Sequence, residues 1–241
     1  MTKHIPIYAH RGASGHAFEN TFEAFEKARQ LKADGIELDV QLSEDGVCFV
    51  FHDLSLQRLT GVRKLITECR ADEIKGYQIG RRFLRRLTGK QIPTLEEVLN
   101  WAVEHNMPLN LELKESLLDD VMPFIQLLKK YKLPVGSHVS SFHDQLLRTV
   151  KLYDSNMETA IIVTKKFEWN RLNDMGYIDA VHAHKRYYKQ PFLQACEVAQ
   201  KPMRFYSIDG TERFLLSPDA VVVGWITDYP DRLVNIQKRH K

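Results

Sequence analysis

His10-Arg11-Gly12, Glu37-Leu38-Asp39 and His52-Asp53 fall within the first 53 residues of a 241-residue chain, and Glu112-Leu113-Lys114 follows further on. Imidazoles titrate near neutral pH, so His10 and His52 can act as a general acid–base pair. Side chains two apart on a strand point the same way, which aims Glu37 with Asp39 and Glu112 with Lys114. Three convergent carboxylates repel one another, and facing them into a barrel interior without a partner is costly. A divalent cation resolves that repulsion. A carboxylate set without cysteine suits Mg2+ or Ca2+ rather than Zn2+. With such an ion the three carboxylates carry a formal charge of about −1, which Arg11 and Lys114 bring to about +1. A site of that charge receives an anion, and metal, Arg and Lys together are a common way to hold a phosphoryl group.

These residues need elements that converge. Ile5 to His10 reads as a strand. Residues 20–33 read as a helix, with Phe22, Phe25 and Ala28 at helical spacing, Asn20 or Thr21 as cap and Gly35 just past the end. Ile36 to Leu42 alternates with period two, Asp45-Gly46 marks a tight turn, and Val47 to Phe51 runs extended to deliver His52. Thr94-Leu95-Glu96-Glu97 is a capping box opening a helix that runs to about His105. Leu109 to Lys114 is the third barrel-type strand, and a helix is expected over 117–131. Further strands are expected near 136–141, 158–163, 179–184, 203–207 and 220–226. Eight strands in a strand–helix rhythm match a (β/α)8 TIM barrel, in which chemistry sits at the C-terminal strand ends. An open doubly wound sheet is the alternative, but no glycine-rich dinucleotide fingerprint follows the first strand.

The length suits a single catalytic barrel spanning 1–241, with residues 54–91 as an insertion inside it. From Gly61 to Gln91 that segment carries nine Lys or Arg against three Asp or Glu, among them Arg81, Arg82, Arg85 and Arg86. It is either a solvated surface or a basic lip that steers anions to the mouth. A net charge of only +3 gives no global pull toward nucleic acid or membrane. No apolar run is long enough to span a bilayer, and the N-terminus lacks a signal-peptide pattern. Cys48, Cys69 and Cys196 are too few and scattered for a disulfide framework, so a cytoplasmic, reducing setting is the expectation. The expected partner is a small-molecule substrate, with no nucleic acid, no stable membrane association and the oligomeric state open.

Together with Glu19-Asn20-Thr21, the Ile92 to Glu97 helix start and Ile226-Thr227-Asp228-Tyr229-Pro230 near the end, these motifs resemble the glycerophosphodiester phosphodiesterase family. The ordered motifs run from the first strand to the last. The resemblance implies a (β/α)8 barrel with an insertion after the second strand. It also implies Mg2+ or Ca2+ on Glu37, Asp39 and Glu112, an acid–base pair at His10 and His52, and Arg11 and Lys114 on the phosphate. The implied reaction cleaves glycerophosphodiesters to glycerol 3-phosphate and an alcohol, through attack by the neighbouring glycerol hydroxyl and a cyclic phosphate that water opens. Phe18 stands where the family often has Pro. Tyr206-Ser207-Ile208-Asp209 stands where the family has Trp-Thr-Val-Asn, which makes Tyr206 a substrate-binding wall of altered shape.

Rival readings exist. His182-Ala183-His184 puts two imidazoles on one strand face, as in metal-dependent barrel hydrolases of the amidohydrolase kind, or serves packing and the pocket rim. A phospholipase-like phosphodiesterase acting on a lipid head group would need an apolar surface at the mouth. A catalytically silent binding protein on the same fold conflicts with a complete set of ligands and histidines.

Overall fold

The computed structural model describes residues 4–80 and 89–239. Eight strands form a closed parallel barrel: β1 (Ile7–His10), β2 (Gly35–Leu42), β3 (Leu109–Leu113), β4 (His138–Ser141), β5 (Thr159–Ile162), β6 (Ala180–His184), β7 (Met203–Tyr206) and β8 (Val222–Thr227). Closure is made by β1, which pairs in parallel with β2 on one side and β8 on the other. The expected strands are therefore all present, with bounds shifted by at most two residues.

Helices α1 (Phe22–Gln30), α2 (Leu95–Glu104), α3 (Met122–Leu128), α4 (Asp144–Tyr153), α5 (Gln190–Val198) and α6 (Pro230–Arg239) form the outer layer. After β5 and β7 the helix is replaced by short 3-10 turns, Trp169–Asp174 and Arg213–Leu216. The capping box at α2 forms as read. The Thr94 hydroxyl oxygen accepts from the Glu97 N–H, and the Glu97 carboxylate accepts from the Thr94 N–H at 2.8 Å. The helix expected over 117–131 is shorter and broken. A 3-10 turn at Glu115–Leu118 comes first, and α3 starts only at Met122, with Pro123 in its first turn. Proline lacks an N–H and is tolerated only in that first turn, so the two segments cannot fuse.

Beside the barrel core lies a second apolar cluster, containing Phe49, Phe51, Leu56, Leu59, Ile66, Cys69, Ile74, Ile79 and Ile92. It is built from the antiparallel strand Cys48–Val50, which pairs with the end of β2, and from the segment that follows. Arg81, Arg82, Arg85 and Arg86 lie outside the described residues.

The lower half of the barrel interior is filled by polar rings rather than aliphatics. Tyr8 from β1 meets His138 from β4 edge-on at 5.2 Å, and His138 meets His182 from β6 in the same way at 5.2 Å. The Arg204 guanidinium lies over the Tyr8 ring and donates to Glu158 at 2.5 Å. Space for these groups comes from two glycines. A Cβ at Gly35 would stand 2.6 Å from the Tyr8 ring, and one at Gly224 would stand 2.9 Å from the Arg204 side chain. Burial, with the charge of Arg204 nearby, pushes the His138 and His182 imidazoles well below their usual range, so both are neutral.

The unfolded chain therefore binds more protons at these two positions once pH falls below about 6.5, and stability from them is lost as pH drops. In His182→Asn the acid-side loss of stability between pH 6.5 and 5 should be shallower than in the parent chain by up to about 1.4 kcal/mol per pH unit. Urea midpoints across that range measure it; parallel pH profiles for the two proteins would refute the assignment.

Candidate active site

The C-terminal end of β1 turns sharply. Arg11 has φ +54° and Gly12 has φ +78°, both in the left-handed region. A Cβ on Gly12 would stand 2.7 Å from the backbone of Ala24, so only glycine fits. The turn aims the Arg11 N–H at Glu37 Oε2, 2.8 Å away, and sends its side chain over the mouth. The Arg11 guanidinium reaches Glu19 at 2.9 Å and lies 3.1 Å from Asp39 Oδ2. A left-handed Asn20 donates its amide to Asp39 Oδ2 at 2.9 Å.

Parallel register sets the acidic cluster. In the β2–β3 pair, Asp39 stands opposite Glu112 and Glu37 opposite Asn110. Carboxylate oxygens of Glu37, Asp39 and Glu112 all lie within 4.8 Å of one another. Glu37 and Asp39 are 2 % and 0 % exposed. Lys114 Nζ donates to Glu112 at 2.7 Å and stands 3.4 Å from Asp39 Oδ1. Even so, Glu37 Oε1 and Asp39 Oδ1 are buried and accept no hydrogen bond. Burial and the neighbouring Asp39 charge push Glu37 up to about 8. Burial also pushes Asp39 up, but Arg11, Lys114 and His52 outweigh it and hold that carboxyl below its usual range. Glu112 is raised, by burial and by Asp39. Orphaned oxygens, a carboxyl that burial drives toward protonation and an all-oxygen donor set fit a hard divalent cation.

Both histidines are tethered through Nδ1. His10 Nδ1 lies 2.7 Å from Asp228 Oδ1, and its Nε2 is 3.9 Å from Glu37 Oε2. Burial disfavours the His10 imidazolium, but the Glu37 charge and the Asp228 hydrogen bond outweigh it and raise its pKa. His52 Nδ1 lies 2.7 Å from Asp53, which accepts from Arg58 at 2.5 Å. Arg58 also grips both oxygens of Glu19, at 2.7 and 2.9 Å. One chain of ion pairs thus links His52, Asp53, Arg58, Glu19 and Arg11 to Asp39.

All eight residues singled out from the sequence stand on barrel strands or in the turns and loops beside them. His10 and Arg11 are at β1, Glu37 and Asp39 on β2, and Glu112 and Lys114 at β3. His52 follows the Cys48–Val50 strand, and Tyr206 ends β7. Tyr206 stands across the mouth, near enough for the Glu112 charge to add to burial in raising its hydroxyl's pKa. Asp228, quoted above only within the Ile226–Pro230 motif, is the partner of His10. Its position just past the last barrel strand was the available signal. Arg58 carried no signal, because its contacts are to residues 39 and 5 positions away. His182 and His184 do not form a ligand pair: the His182 ring packs on His138, while His184 Nδ1 accepts from Arg186.

The chain is similar in sequence and fold to known proteins. Residues 10–232 match the model of the glycerophosphoryl diester phosphodiesterase family. A glycerophosphodiester phosphodiesterase of Caldanaerobacter subterraneus is 30% identical over 242 residues, covering 97% of this chain and 98% of that protein. A human lysophospholipase D is 33% identical over 137 residues, 54% of this chain and 42% of that one. Among solved structures, an Oleispira antarctica phosphodiesterase in complex with the product sn-glycerol-3-phosphate superposes with a TM-score of 0.85. It shares 26% identity, over 97% of this chain and 96% of that one.

If Asp228 sets the proton affinity of His10, Asp228→Asn should lower the His10 pKa in metal-free protein. NMR titration of the ring Cε1–H reads this directly; an unmoved His10 titration would remove Asp228 from that role.

Proposed function

Because this chain belongs to the glycerophosphoryl diester phosphodiesterase family, a family of hydrolases acting on glycerophosphodiesters, we propose that His10 and His52 are its acid–base pair and that Glu37, Asp39 and Glu112 hold a divalent metal, Mg2+ or Ca2+. The observation that carries this reading is the convergence of three buried carboxylates, two of them with orphaned oxygens, beside two histidines tethered at Nδ1. Tethering at Nδ1 leaves each Nε2 to exchange protons with substrate. A bound divalent ion would neutralise charge at the phosphoryl oxygens and orient the diester.

Arg11 and Lys114 contribute positive charge at the same phosphoryl group, and Arg11 is pre-aimed by its left-handed backbone. In the first step a glycerol hydroxyl of the substrate attacks phosphorus. One histidine takes the hydroxyl proton while the other gives a proton to the departing alcohol oxygen. The products are a cyclic phosphate and the free alcohol. Water then opens the ring with the two proton transfers reversed, giving glycerol 3-phosphate. Tyr206 would wall the pocket on the far side. The substrate is a small molecule, and among the described residues no helix is long and apolar enough to cross a membrane. We read residues 1–241 as one catalytic barrel with 54–91 as an insertion, a reading supported by the separate apolar cluster there. Three buried free cysteines support a cytoplasmic setting.

Protein treated with EDTA should not release glycerol 3-phosphate from glycerophosphocholine or glycerophosphoethanolamine, and Mg2+ or Ca2+ should restore release. Failure on both, with cleavage of lysophospholipids instead, would move the assignment to lipid head groups. His10→Ala and His52→Ala should each lower kcat by about 10²- to 10⁴-fold with the circular dichroism spectrum unchanged. Glu37→Ala should weaken metal affinity measured by calorimetry. Near-parental activity in all three variants would disprove the site.

A further inference from the structure

Opposite the acidic cluster, the mouth of the barrel is formed by the exits of β5, β6 and β7. Alternation along β6 and β7 decides what faces inward there. His182 and Arg204 lie inside the barrel, paired in register, so His184 and Tyr206, two residues further on, share that inward side and are likewise paired. The two rings meet edge-on at 5.4 Å.

Arg186 follows at once, and both its backbone N–H and its guanidinium Nε donate to His184 Nδ1, at 3.0 and 3.1 Å. That geometry requires an unprotonated Nδ1, so the neutral tautomer carries its hydrogen on Nε2. Burial together with the charges of Arg186 and Lys185 keeps His184 neutral by lowering its pKa. The Tyr206 hydroxyl feels both the Glu112 carboxylate and the Arg186 guanidinium.

The neighbouring charges are unevenly satisfied. Lys185 is held by Asp209 and Glu212, at 2.7 and 2.6 Å, and Arg171 stands near Glu168. Arg186, and Lys165 and Lys166 on the β5 exit, have no carboxylate within ion-pair distance among the described residues. All three are exposed. An alcohol bearing a quaternary ammonium would meet uncompensated positive charge here, whereas one bearing a phosphate or carboxylate would meet donors.

We propose that Arg186, held on His184 beside Tyr206, together with Lys165 and Lys166, forms a head-group subsite that selects glycerophosphodiesters whose alcohol carries its own negative charge. This rests on the phosphodiesterase reading and adds the substrate class. Guanidinium forks match phosphate and carboxylate oxygens in pairs, and the tethered His184 holds Arg186 at a fixed orientation. The His184 Nε2–H is left as an additional donor.

The test compares three substrates that differ in head-group charge: glycerophosphocholine, glycerophosphoglycerol, and glycerophosphoglycerol carrying a terminal phosphate. In the parent enzyme kcat/KM should rise along that series, by about tenfold overall at low ionic strength, and the rise should shrink as salt increases. Arg186→Ala should reduce the ratio of the phosphate-bearing substrate to the choline substrate by about tenfold, mainly through KM, and Arg186→Lys should restore part of it. A preference for choline, or a ratio unchanged in Arg186→Ala, would overturn the subsite while leaving the phosphodiesterase assignment standing. Cleavage of none of the three would overturn both.

Discussion

Mutual repulsion among Glu37, Asp39 and Glu112 is the constraint around which this structure is arranged. Three carboxylates with oxygens within 4.8 Å of one another, almost wholly withdrawn from water, form an unstable arrangement by themselves. Lys114, Arg11, Asn20 and the Arg11 backbone N–H offset part of that repulsion, yet two oxygens still lack a donor. What the protein leaves unsatisfied is what a cation would complete. Burial raises both Glu37 and Asp39, but the two move in opposite directions: at Asp39 the charges of Arg11 and Lys114 outweigh burial, whereas at Glu37 the charge of Asp39 adds to it.

Holding such a cluster open demands rigidity, and the surrounding chain supplies it at several levels. Left-handed backbone at Arg11 and Asn20 is disfavoured for residues with a side chain, so the fold must over-determine it. The Gly12 contact with α1 and the hydrogen bonds to Glu37 and Asp39 do that. The ion-pair chain through Arg58 then ties the segment beside the barrel to the first strand's exit. Loss of order in that segment would be felt at His52 and Arg11 together.

The barrel interior divides along its axis. The upper end holds the charged cluster, while the lower end is closed by Tyr8, His138, His182 and Arg204. A plug of neutral imidazoles and a phenol brings hydrogen-bonding needs that aliphatic side chains would not. The Tyr8 hydroxyl and His138 Nδ1 meet theirs on the Gly136 carbonyl, at 2.7 and 2.9 Å, while His138 Nε2 and His182 Nε2 stay buried without a partner. That plug is a matter of stability, and it lies at the end of the barrel away from the chemistry.

Residue type and period by themselves determined the strand count, the barrel and the carboxylates and histidines of the cluster. The reason is that side-chain direction on a strand is fixed by parity. Glu37 and Asp39 share a face whatever the tertiary context. The capping box at Thr94 and Glu97 was equally local. Parity says nothing about register between strands, and only the closed sheet set Asp39 opposite Glu112 and His184 opposite Tyr206. Nor does local pattern reach across the chain. Asp228 meets His10 from 218 residues away because barrel closure brings the last strand beside the first. Arg58, an ordinary surface residue in sequence, became part of the charge network only through folding. The first contact depends on closure of the ring, and the second on the segment after β2 folding against the exit of β1; no short stretch of sequence encodes either.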